Sequence, residues 1–123
     1  MNEQTLFQTM SQISIQLKAN DPALSDADAV SKASILLRKI VNACKQLAGS
    51  NTGSEGLYFH TISQIAIQNY FRNGKTDDES VSAAQQFVES MKVEAATIAN
   101  SYCLVIVTNR TLPNHQLVLS AVQ

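Results

Sequence analysis

Residues 76–102 read TDDESVSAAQQFVESMKVEAATIANSY, and this stretch predicts a long amphipathic α-helix. Thr76 and Glu79 have the spacing of a capping box, in which each side chain accepts a hydrogen bond from the other residue's backbone N–H. The apolar residues that follow alternate three and four positions apart, which places them on one face of a helix. They are Val81, Ala84, Val88, Met91, Ala95, Ile98 and Tyr102. We expect this whole face, including Ile98, to be buried against other helices.

Two shorter helices are predicted before Gly49. The first runs from near Glu3 to near Lys18 and stops before Asn20-Asp21-Pro22, because the residue before a proline is driven out of the helical region. The second begins at the N-cap candidate Ser25 and continues to Leu47, before a glycine that favours helix termination. The predicted buried residues are Leu6, Met10, Ile13 and Leu17 in the first helix and Val30, Ala33, Leu37, Ile40, Val41, Cys44 and Leu47 in the second.

A third helix is predicted between the loop of residues 49–54 and the Asn73-Gly74 pair. Its start is open, because Thr52 and Glu55 have capping-box spacing whereas Ser54 could cap the helix instead. It holds four of the seven aromatic residues of the chain, so we expect it to be the hub of the core. Its apolar residues are Tyr58, Phe59, Ile62, Ile65, Ala66, Tyr70 and Phe71.

The chain after residue 102 allows two interpretations. Cys103–Thr108 is a consecutive run of β-branched and apolar residues, which is typical of a strand, and Gln116–Val122 alternates weakly. With a loop around Pro113, these segments would form a short C-terminal β-hairpin, the interpretation that the consecutive β-branched residues favour. The alternative is that the fourth helix continues by two turns and is followed by a docked tail.

Together these patterns predict a mainly α-helical fold, a compact four-helix bundle formed by a single domain over residues 1–123. A chain of 123 residues has the size of one domain with one core. Residues 30–48 hold four basic residues and no acid, whereas residues 77–100 hold five acids and one base. These opposite charges favour packing the second and fourth helices side by side, although each exposed pair contributes only about 0–1 kcal/mol.

The composition argues against several classes of protein. The formal net charge is −1, so the chain lacks the overall attraction to phosphate backbones that drives non-specific nucleic-acid binding. Cys44 and Cys103 are isolated and no histidine cluster accompanies them, so neither a disulfide framework nor a metal site is predicted. No cofactor is expected. Since no apolar run is long enough for a signal or membrane-spanning segment, we expect a soluble, cytoplasmic protein without membrane association.

The sequence contains only weak signals of catalysis. Gly74-Lys75-Thr76 resembles the end of a phosphate-binding loop, but a helix precedes it where that loop requires a strand. Neither His60 nor His115 has a carboxylate or second histidine at helical spacing. Because no nucleophile, base and oxyanion-stabilising group can be assembled, the sequence leaves catalysis open but favours a non-enzymatic role, with no catalytic residue assigned.

The surface composition favours protein–protein interaction. Only 15% of residues are charged, whereas Gln, Ser, Thr and Asn together make up a third of the chain, and uncharged polar groups cost less to desolvate than charges. The candidate interaction face lies on the first helix, where apolar residues outside the buried stripe stand beside polar ones. It consists of Phe7, Gln8, Ser11, Gln12 and Ile15. We therefore predict a small interaction or regulatory protein that forms a homo-oligomer, a dimer in the first instance, and that could also bind another protein.

Two alternative functions remain. The first is a small-molecule or anion-binding domain with its pocket between the second and third helices, using Arg38, Lys45, His60 and Tyr70. The second is a nucleic-acid-binding regulator that uses the basic residues of the second helix, although nucleic acid is not the expected partner at this net charge.

Overall fold

The backbone of residues 1–111 forms four α-helices joined by short connections. In the computed structural model, the backbone is described for residues 1–111 and the side chains for residues 1–102. The helices are α1 (Glu3–Asn20), α2 (Asp26–Ala48), α3 (Glu55–Phe71) and α4 (Asp77–Thr111), with a 3-10 turn at Thr52–Ser54 before α3. No strand occurs among these described residues. The predicted mainly α-helical bundle is confirmed.

Local hydrogen bonds fix the starts of α2 and α4. The hydroxyl of Ser25 accepts a hydrogen bond from the backbone N–H of Asp28 at 3.1 Å, so the predicted cap of α2 is confirmed. At α4, Glu79 donates its backbone N–H to Thr76 Oγ1 at 3.1 Å, and Thr76 donates its own to Glu79 Oε1 at 3.0 Å. Both bonds of the predicted capping box are therefore present, and they satisfy two backbone donors that the helix leaves unpaired.

The start of α3 differs from both predicted caps. Ser54 stands at the cap position, but its side chain makes no capping hydrogen bond. The 3-10 turn runs directly into the helix, so the backbone N–H of Glu55 donates to the carbonyl oxygen of Thr52 instead. A backbone carbonyl thus accepts the hydrogen bond from an N–H group at the start of the helix, in place of the hydroxyl of Thr52 or Ser54.

The chain divides into two units, Met1–Val88 and a second one that begins at Glu89. Within Met1–Val88, α2 packs against both α1 and α3 and is the central element of the core. Residues of all four helices contribute to this core. Its fully buried large apolar side chains are Ile13, Leu36, Ile40, Cys44 and Ile62, and α4 contributes Val81, Ala84 and Val88. The prediction of a single domain over residues 1–123 stays a prediction.

The buried face of α2 is broader than the stripe predicted from the sequence and is rotated about the helix axis relative to it. Val30, which the predicted stripe includes, is 50% exposed. Ala29, Leu36 and Ala43 are buried instead. Because neighbouring helices cover α2 on two sides, its buried face exceeds the narrow stripe that one contact would produce, and small residues such as alanine let those neighbours approach closely.

The apolar face of α4 is buried only at its N-terminal end, which corrects our expectation for the whole face. Val81, Ala84 and Val88 are buried in the core of the first unit, whereas Ile98 is 53% exposed. Met91, Ala95 and Tyr102 are exposed as well. The three-and-four spacing establishes which side of a helix is apolar, but it does not establish how far along the helix a neighbour covers that side.

The predicted C-terminal hairpin is wrong in its first strand. Cys103–Thr108 is helical, and α4 continues to Thr111, in agreement with the alternative of a longer fourth helix. The cost of β-branched residues in a helix is only a few tenths of a kcal/mol each, and extending an existing helix avoids the cost of nucleation. The second predicted strand, Gln116–Val122, lies outside the described residues.

Ion pairs join α2 to the first turn of α4, as the charge pattern predicts. The Lys39 ammonium contacts Asp78 at 2.7 Å and Asp77 at 3.1 Å. Hydrogen bonds to Asp78 and to Asp77 raise the pKa of Lys39 above its ordinary value. Nearby, the amide of Asn69 on α3 donates to the backbone oxygen of Ser80 at 3.4 Å. These polar contacts set the register of α4 against α2 and α3.

We expect Ile62→Ala to lower the free energy of unfolding by about 2–5 kcal/mol, because it removes a fully buried side chain and leaves a cavity. Leu57→Ala is the matched control, since Leu57 is on the same helix but 71% exposed, and its effect should stay within about 0.5 kcal/mol. Urea unfolding followed by circular dichroism measures both. Equal losses in the two variants would contradict the assigned core.

We also expect Glu79→Gln to flatten the acid dependence of stability. Hydrogen bonds from Thr76, chiefly from its backbone N–H, lower the pKa of Glu79 in the folded protein below the ordinary value of 4.5. This stabilisation is therefore complete above that value and is lost as the pH falls through the lowered pKa. Urea midpoints recorded from neutral to strongly acidic pH should fall less steeply in Glu79→Gln than in the unaltered protein, and parallel curves would contradict the capping role.

Candidate functional site

The apolar residues of the predicted interaction face lie on the exposed surface of α1. Phe7 is 68% exposed and Ile15 is 69% exposed, so the predicted exposure of these two apolar side chains is confirmed. Between them, the Ser11 hydroxyl donates to the backbone oxygen of Phe7 at 2.8 Å. Gln8 and Gln12 point toward α3, where both line a groove. The five predicted residues thus span two sides of α1 rather than one flat face.

The larger concave surface is a groove between α1 and α2, with a volume of about 750 Å³. We call it the α1/α2 groove. Its apolar lining comes from both helices, and Phe7 stands at its edge. The apolar lining residues are Met1, Leu6, Phe7, Met10, Leu37 and Val41. Leu6, Met10 and Val41 are only partly buried, so the groove exposes side chains that continue the core outward.

The α2 edge of this groove is polar and basic. Ser34, Arg38 and Lys45 line it, at positions separated by four and seven residues that fall on one side of a helix. Arg38 donates from Nε to the hydroxyl of Ser34 at 3.1 Å, which orients the guanidinium along α2. On the opposite edge, α1 contributes the carboxylate of Glu3. An apolar floor with charged edges suits an amphipathic helix better than a small polar molecule.

The four residues predicted for an anion or ligand site do not come together. Arg38 and Lys45 share the α1/α2 groove, which corrects the predicted location between α2 and α3. His60 lines a different groove of about 240 Å³ between α1 and α3, together with Gln8 and Gln12. Tyr70 lines a third, of about 320 Å³. The reason is helical geometry, because ten residues separate His60 from Tyr70 and place them about 15 Å apart along α3.

The described side chains do not assemble a metal site, and the described cysteine thiol lies in the core. Within residues 1–102, no group of three or more His, Cys, Asp or Glu side chains is arranged to hold a metal ion. Cys44 is completely buried, and burial raises the pKa of its thiol to about 11. This agrees with the prediction of a core thiol, since a protonated buried thiol is a poor nucleophile. The Cys103 and His115 side chains lie outside the described residues.

The sequence pattern does not reveal the α1/α2 groove. Four of its six apolar lining residues, Leu6, Met10, Leu37 and Val41, belong to the stripes that predict core positions. A helical repeat assigns these residues to the inner side of each helix. It carries no information about the separation of two helices, which decides whether a groove stays open between them.

Comparisons with known proteins add no assignment to this geometry. No protein-family model matches the chain, no curated protein matches it in sequence, and no solved structure matches it. Among the described residues, no helix has a stretch that is both long enough and apolar enough to cross a membrane.

We expect Cys44 to resist alkylation in the folded protein. Its raised pKa and complete burial keep the thiol protonated and inaccessible at neutral pH. Mass spectrometry after iodoacetamide treatment should show modification of Cys44 only when urea unfolds the chain, and a Cys103→Ser variant isolates the signal. Rapid modification of Cys44 under native conditions would contradict its place in the core.

Proposed function

We propose that this chain is a non-enzymatic protein-interaction or regulatory protein that self-associates through helical faces, with the α1/α2 groove as its docking surface. The observation that supports this proposal is the groove itself, an apolar concavity with the exposed ring of Phe7 at its edge. Covering an exposed phenylalanine with a partner gains roughly 1.5–3 kcal/mol. Phenylalanine is one of the aromatic residues that are enriched in the cores of protein–protein interfaces.

The surroundings of the groove support association rather than catalysis. Asn2, Ser34 and Asn42 are uncharged polar residues that line it beside the apolar floor. Such groups form hydrogen bonds across an interface at a lower desolvation cost than charges. The partner expected from the sequence is a second copy of the chain, most simply in a two-fold symmetric dimer.

An anion- or small-molecule-binding function is the second candidate. The observation that favours it is the shared position of Arg38 and Lys45 at one edge of a groove whose 750 Å³ falls in the usual range of ligand pockets. Nucleic-acid binding ranks lower, because Lys39 is already held between Asp77 and Asp78. That contact withdraws one of the four basic side chains of α2 from any patch that could meet phosphate groups.

We expect Phe7→Asp to weaken self-association at least tenfold, because it places a charge at the edge of an apolar docking surface. Ile15→Asp is the matched control, since Ile15 lies on the same helix with the same exposure but does not line the groove. Sedimentation equilibrium across the micromolar range measures the dissociation constants of both variants.

Two outcomes would contradict the proposal. One is a monomeric mass for the unaltered chain at every concentration. The other is an equal effect of Phe7→Asp and Ile15→Asp, which would place the association on the α1 face predicted from the sequence rather than in the groove. For the second candidate, a thermal shift with inorganic phosphate or nucleotides that disappears in an Arg38→Ala, Lys45→Ala variant would favour ligand binding instead.

A further inference from the structure

A second exposed apolar surface lies on α4 beyond Glu89. Met91, Ala95, Ile98 and Tyr102 are all exposed, and we call them the α4 stripe. They are four, seven and eleven residues from Met91, so they fall within an arc of about 60° on the helix. These are the intervals by which an amphipathic helix anchors in an apolar groove.

We propose that the α4 stripe of one copy binds in the α1/α2 groove of a second copy, and that the second copy returns the same contact. This inference rests on the proposed function and names the partner of its docking surface. The exchange is isologous, so each copy contributes one groove and one stripe and the pair closes on itself. It covers two exposed apolar surfaces of each chain with one kind of contact.

The lengths of the two surfaces agree. The stripe extends from Met91 to Tyr102, and the α2 edge of the groove extends from Ser34 to Lys45. Each pair of residues is eleven positions apart, which corresponds to about 16 Å along a helix. The groove is therefore long enough to take all four residues of the stripe when α4 of one copy lies beside α2 of the other.

The charges beside the two surfaces are complementary. At about 100° per residue, Glu94 lies on one flank of the stripe. The groove has Arg38 and Lys45 on its α2 edge and Glu3 on its α1 edge. In one orientation Glu94 meets the basic α2 edge, and reversing the helix direction places Glu94 beside Glu3 instead. Charge complementarity of this kind determines register and partner choice more than it adds affinity.

The same helix offers a matched control for the stripe. Ile98 is 53% exposed and Val93 is 58% exposed, but Val93 lies on the opposite side of α4 from the stripe. We expect Ile98→Asp to raise the dissociation constant of the dimer at least tenfold and Val93→Asp to change it less than about twofold. Circular dichroism and urea unfolding establish that both variants fold.

Charge reversal tests which surface the stripe contacts. Arg38→Glu and Glu94→Arg should each weaken the dimer, because each places like charges together, and the double variant should recover at least half of the combined loss. Sedimentation equilibrium on the full chain supplies all four dissociation constants of this cycle. Recovery in the double variant supports the contact, whereas additive losses overturn it.

The outcomes separate this inference from the proposed function. If Phe7→Asp weakens the dimer and Ile98→Asp does not, the groove is a docking surface for another segment, and only the inference fails. If Ile98→Asp weakens the dimer while Phe7→Asp and Arg38→Glu do not, the stripe pairs with something other than the groove, and both fail. A chain that remains monomeric at all concentrations also overturns both.

Discussion

The fold depends on the burial of α2 from two sides. Ala33, Ile40 and Cys44 have no exposed surface, because α1 and α3 both pack against this central helix. A helix covered on two sides has a broad buried face, whereas the buried residues of α1 fall on one stripe, Thr9, Ile13 and Leu17. Phe7 and Ile15 lie off the buried stripe of α1 and remain exposed, so the division between buried and exposed apolar side chains follows from helix packing rather than from differences in hydrophobicity.

The features that the sequence predicts well are those decided within one helical turn. Ser25 and the Thr76–Glu79 pair cap their helices through hydrogen bonds between residues three positions apart. The local sequence is therefore enough to predict these caps. The burial of Ile98 depends on whether another helix reaches that part of α4, and no local pattern contains that distance. The same limit explains the strand predicted at Cys103–Thr108, where local β-propensity yields to an existing helix.

In the candidate site, too, the sequence predicts the features of a single helix but not those that depend on how two helices pack. The exposure of Phe7 follows from its position off the α1 stripe, and the sequence predicts it correctly. The neighbourhood of Arg38 and Lys45 is likewise a property of one helix. Their separation from His60 and Tyr70 depends on which helices face each other, and so the four residues lie in separate grooves rather than in one pocket. A groove arises from the distance between two backbones, a quantity that hydrophobic periodicity does not encode.

The contact of Lys39 with Asp77 and Asp78 has a chemical consequence beyond packing. An amine attacks an acyl or carbonyl carbon only in its neutral form, and the two carboxylates hold this one as the ammonium ion. The raised pKa lowers the already small neutral fraction of this lysine at neutral pH, so Lys39 is a poorer nucleophile than an unpaired lysine. Acetylation at this residue would remove the positive charge and with it the ion pairs to Asp77 and Asp78 that join the two helices.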